Sequence, residues 1–146
     1  MIQRIQTLFL LLTVIATGLV FVFPFATTEQ AVGSSEIFAD QAYTPTDNMV
    51  LLVFFAVVGV LALVDIFLFK QRTRQLMVGR ITVLLYLVAI ILMVVFFMTD
   101  SSGLETPGLD DGLGVYAAIT GLIGVALANH FIKKDEKLVR SADRLR

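Results

Sequence analysis

Asp65 is the one acidic residue set inside an apolar stretch of this chain, within VVGVLALVDIFLF. An ionisable group in such a setting offers two chemistries. It could pass a proton or cation through a medium of low dielectric, or tie its helix to a neighbour through an ion pair. A charge at the centre of a bilayer costs about 2.5–3.5 kcal/mol on insertion scales, so a residue of this kind needs a function or a partner. Asp65 lies four residues before Phe69, about 6 Å along a helix from the end of its run. Arg4, Arg80, Lys133 and Lys134 begin at a similar depth. A relay would need further ionisable groups towards the other membrane face, and the sequence has none there. The spacing therefore favours Asp65 as an intramembrane ion pair.

The remaining reactive residue types point to no reaction. His130 is the only histidine and stands at the end of an apolar run. Histidine carries protons near neutral pH, but a lone one at an interface reads as solvated or hydrogen-bonded. Asp110 and Asp111 are adjacent and could hold a divalent cation weakly, although a solvated turn accounts for them. Cysteine is absent, which excludes disulfides and thiolate metal sites. The chain has no nucleophile elbow, no phosphate-binding glycine loop and no His–carboxylate cluster. We expect no catalytic, metal or cofactor-binding residues, no cofactor, and a protein that is not an enzyme.

The elements carrying these residues follow from length and hydropathy. The composition is 58% hydrophobic and 16% charged, against about 45–50% and 25% in soluble domains, which is the direction expected of a chain dissolved in lipid. A helix crosses the ~30 Å hydrocarbon layer in about 20 residues. Four runs approach or meet that length: residues 5–25, 49–69, 81–98 and 113–132. Their β-branched and aromatic content would favour strands in water, but lipid admits strands only as closed barrels of alternating polarity. These runs are apolar on every face, so they predict helices. The first could also be read as a signal peptide. Its core is longer than the usual 7–15 residues, and no clear small-x-small cleavage site follows Phe25, so it is expected to remain as a helix.

Gly114, Ala117, Gly121, Gly124 and Ala128 recur at spacings of three and four, which puts them on one face of the fourth helix. Small residues in this pattern let helix backbones approach closely where lipid supplies no hydrophobic drive. An internal helix is the expected partner, ahead of a second subunit. Thr13, Thr17, Thr82, Tyr86 and Thr120 are polar groups within the runs and are expected to serve packing, because a threonine hydroxyl can bond the carbonyl one turn back.

Charge sets the orientation. All eleven Lys and Arg residues lie before the first run, between the second and third, or after the fourth. The other two connections, residues 26–48 and 99–112, hold eight carboxylates and no base. Cytoplasmic loops retain Lys and Arg, so both termini and the middle loop are expected inside. The tail from 133 to 146 carries Lys133, Lys134, Lys137, Arg140, Arg144 and Arg146 and can extend the fourth helix. It suits an anionic membrane surface or docking to a partner. It is too small and too poor in aromatics for nucleic acid.

The opening MIQRIQTLFLLL and the closing ANHFIKKDEKLVRSADRLR resemble an uncharacterised family of small four-helix inner-membrane proteins of the Bacteroidota. The resemblance implies a bacterial inner-membrane location and no activity. The expected fold is all-α: a single domain over residues 1–146, forming a four-helix transmembrane bundle, up-down-up-down, with a cytoplasmic helical extension. The expected role is a structural or accessory membrane protein, with a small transporter or channel as the alternative. Its partners are the lipid bilayer and either other subunits of a membrane complex or further copies of itself.

Overall fold

A computed structural model describes residues 2–31, 35, 37–101 and 108–143, and side chains only from residue 5 to residue 139 within that set. Four helices dominate: α1, Ile2–Val20; α2, Met49–Phe67; α3, Arg72–Ser101; and α4, Leu113–Asp143. Three spans, Met49–Lys70, Arg72–Ser101 and Leu113–Val139, are long and apolar enough to cross a membrane. The apolar helix Ile5–Val20 is shorter.

The first apolar run thus ends as a helix five residues before the expected Phe25. Pro24 has no N–H to donate and forces the preceding residue out of helical geometry. The chain turns through Phe21–Phe23, whose N–H groups bond Gly18 and Leu19 carbonyls at 2.9–3.1 Å. The middle connection is also shorter than its polar sequence suggests. A 3₁₀ turn, Leu68–Lys70, and Gln71 alone separate α2 from α3, because residues 72–80 already belong to α3. Lys and Arg are good helix formers, and a polar segment continues a helix once it leaves the apolar layer. The same reason carries α4 on through its basic end to Asp143.

Around this frame the helices form a ring of contacts. α1 packs most extensively on α4; α2 packs on α3, α3 on α4, and α1 on α2. The outward sides are apolar: Leu8, Ile15, Val60, Leu84, Ile91 and Ile123 are each more than half exposed. A helix apolar on all sides belongs to a membrane span or to a deep core, and outward surfaces of this kind fit association with a lipid bilayer.

Residues 26–48 and 108–112, expected as plain loops, build a small sheet. Strands β1, Ala26–Thr27, β2, Ala42–Tyr43, and β3, Asp110–Asp111, lie in the order β2-β1-β3, both pairs antiparallel. Ala26 faces Tyr43 on one side and Asp111 on the other. Phe25 N–H donates to Tyr43 O at 2.7 Å, and Gly112 N–H donates to Phe25 O at 2.8 Å. The backbone groups freed where α1 stops are thereby satisfied. A 3₁₀ turn at Pro45–Asp47 then leads into α2, where Asn48 Oδ1 accepts from Val50 N–H at 2.9 Å and caps the orphan donors of the first turn.

Candidate functional site

Among the described residues, two groups of polar side chains are assembled from several helices, and an aromatic cluster gathers side chains from the connections and α3. The first polar group joins α1, α3 and α4. Thr17 Oγ1 donates to Thr13 O at 2.7 Å and lies 3.2 Å from Tyr86 Oη. With its proton committed to Thr13, Thr17 accepts and the Tyr86 hydroxyl donates. Thr13 Oγ1 lies 3.0 Å from Phe9 O and 3.2 Å from Gly121 O on α4. All three side chains are buried.

Glycines make room for them. A Cβ at Gly121 would meet the Tyr86 ring at Cζ, 2.7 Å away, besides its hydroxyl. One at Gly124 would stand 2.6 Å from Thr13 Oγ1, and one at Gly114 would stand 2.7 Å from Pro24 O. Ala128 is fully buried. Ala117 is half-buried, while its neighbour Ala118 is completely covered. The 3-4 spacing did not single out Ala118, since both alanines fall near the edge of the same face.

The second group lies towards the α2–α3 turn. Asp65 is fully buried, and neither carboxyl oxygen has a hydrogen-bond partner among the described residues. Its backbone carbonyl accepts from Gln75 Nε2 at 3.0 Å. Among the described residues no base pairs with Asp65; the Arg4 side chain lies outside them. Gln6 Nε2 and Asn129 Oδ1 are likewise buried without a partner, and the Asn129 amide sits where a Cβ on Gly79 would be, its Cγ 2.9 Å away. The ion pair found here is a different one: Arg72 to Asp135 at 3.2 Å, binding the start of α3 to the late part of α4. Gln75 and Gln6 were not singled out from the sequence, and Asn129 was noted only as lying beside His130 at the end of the fourth run. Their one signal was a polar residue type close to the end of an apolar run.

The aromatic cluster lies beneath the sheet. Phe25, Phe38, Tyr43 and Phe97 stack or meet edge to face at centroid distances of 5.3–6.3 Å. Tyr43 Oη donates to Met93 O at 2.9 Å. Asp100 on α3 accepts from Ser35 Oγ and, at 3.4 Å, from Ile37 N–H. Burial pushes the Tyr43 phenol well above the ordinary tyrosine range, and the Asp47 and Asp100 charges add to the effect. Asp47 is raised by burial, against hydrogen bonds from Thr44 that lower it. An apolar crevice of about 160 Å³ opens beside this cluster, with Asp111 at its edge.

Of the basic residues expected to meet lipid or a partner, Lys133, Lys134 and Lys137 are exposed on α4, next to His130. The Arg140 side chain, Arg144 and Arg146 lie outside the described residues. Asp110 and Asp111 are exposed in β3. Among the described residues, no group of three or more His, Asp or Glu could hold a metal ion. The arrangement binds helices together and presents one unpaired carboxyl to the interior.

A family model described as a domain of unknown function, DUF4293, matches residues 2–145, and the chain belongs to that family. No curated protein and no solved structure matches the chain.

Proposed function

We propose that the protein is a non-enzymatic structural or accessory component of a membrane, working as a subunit of a larger complex. We read it as a four-helix transmembrane bundle, up-down-up-down, in the inner membrane of a bacterium, with both termini cytoplasmic. The observation that carries this reading is how the polar groups are used. Between α1, α3 and α4, Thr13, Thr17 and Tyr86 bond one another or helix carbonyls, so the polar side chains there are consumed in holding helices together. The outward faces are apolar and the two end regions small. Support for the topology comes from the sheet, which joins the two acidic connections at one end, and from Arg72–Asp135, which joins the α2–α3 turn to late α4.

A small transporter or channel is the second reading, favoured by Asp65, whose buried carboxyl has no hydrogen-bond partner among the described residues and could serve as one station of a cation path. Purification in mild detergent tests the first reading. It is expected to yield stoichiometric partner subunits; recovery of the chain alone, as monomer or homo-oligomer, would count against it.

A further inference from the structure

The outward face of α4 changes character along its length. Ile123 and Leu127 are exposed apolar residues, and His130, Lys134 and Lys137 follow on the same face at helical spacings of three and four, with Lys133 at its flank. The four basic residues line a shallow groove of about 300 Å³. The carboxylates nearest in sequence point elsewhere. Asp135 bonds Arg72 on α3, and Glu136 lines a different groove, with Thr73 and Arg80 of α3.

We propose that this groove binds the phosphate of an anionic phospholipid, with an acyl chain lying along Leu127 and Ile123. The proposal rests on the reading that α4 crosses a membrane. At its inner end an apolar stripe passes into bases within one turn, so the cradle stands at headgroup depth. Three ammonium groups and an imidazole N–H are all donors to phosphate oxygens, and each base near an anionic leaflet adds attraction. A zwitterionic lipid would bring its own cation against the lysines. No aromatic side chain lines the groove, which leaves nothing for a nucleic-acid base to stack upon.

The test is native mass spectrometry of the full chain in mild detergent, titrated with dioleoyl phosphatidylglycerol or dioleoyl phosphatidylcholine. The wild type is expected to retain phosphatidylglycerol and release phosphatidylcholine. K133Q/K134Q/K137Q should weaken retention on the order of a hundredfold, whereas K70Q/R74Q should leave it unchanged. These lysines are exposed, so an unaltered circular dichroism melt will show that the triple variant is folded. Equal retention by wild type and triple variant would overturn the site, as would equal retention of the two lipids. Displacement by inorganic phosphate alone would assign the groove to a soluble phosphate and overturn the lipid. Recovery of the chain in the soluble fraction without detergent would sink the membrane reading itself, a result distinct from all of these.

Discussion

Asp65 raises the sharpest energetic question in the molecule. Breaking a buried ion pair by removing one partner costs about 3–5 kcal/mol, because the other charge is left stranded. A buried carboxyl with no bond to either oxygen has no such interaction to lose, and a carboxamide of the same shape avoids burying a charge at all. Asp65→Asn is therefore expected to melt in detergent at the same temperature as the wild type or higher. A fall of several degrees would reveal a pairing base, with Arg4 the first to examine. Only the residue's distance from the end of its run is legible in the sequence, the four apolar positions after Asp65 completing that run. Its bonding is not, because helical spacing says how far along an axis a group lies and not which neighbour turns towards it.

At the scale of elements, the sheet and the aromatic cluster beneath it behave as one cap whose weak point is alkaline pH. The Tyr43 phenol is raised above its ordinary value of 10.0 in the folded chain by burial and nearby carboxylates. Its contribution to stability is thus complete below that value and falls as pH rises above it, since the unfolded chain gives up the proton first. Melting temperature should decline from about pH 10 upward, and Tyr43→Phe should flatten that decline while losing the Met93 bond, at a cost of about 1 kcal/mol. An equal alkaline decline in the variant would refute Tyr43 as its source. The helices of this molecule were legible because lipid demands long apolar runs. The cap was not, because two-residue strands carry no period, and β1 finds β3 only after two intervening helices bring them together. The first run was expected to continue as a helix to Phe25, and α1 stops at Val20. That the chain leaves the helix before Pro24, and spends Phe25 on Tyr43, depends on a contact that local sequence cannot encode. The α4 stripe shows the same division: Gly121 and Gly124 declare a close approach, while Tyr86 and Thr13 as the groups that fill it emerge only from packing.

Taken whole, the molecule is long for the layer it is proposed to cross. Thirty residues of α3 and thirty-one of α4 extend roughly 45 Å at 1.5 Å per residue, against ~30 Å of hydrocarbon. In the proposed topology the helical ends stand in water, with all eleven bases towards one end and eight of the twelve carboxylates towards the other. A reporter enzyme fused after residue 40 is expected to be active only on the outer side of the membrane; activity on the cytoplasmic side would invert the proposed orientation.

The pairing of β1 with β3 also bears on the order of synthesis. Ala26 emerges early, but its partner Asp111 is made only after α2 and α3 are complete. Until then one edge of β1 stays bare, and Pro24 and Phe25 carbonyls wait for the N–H groups of Gly114 and Gly112. The cap therefore cannot close on a chain cut short before β3, which leaves the edge of β1 beside Phe25 open.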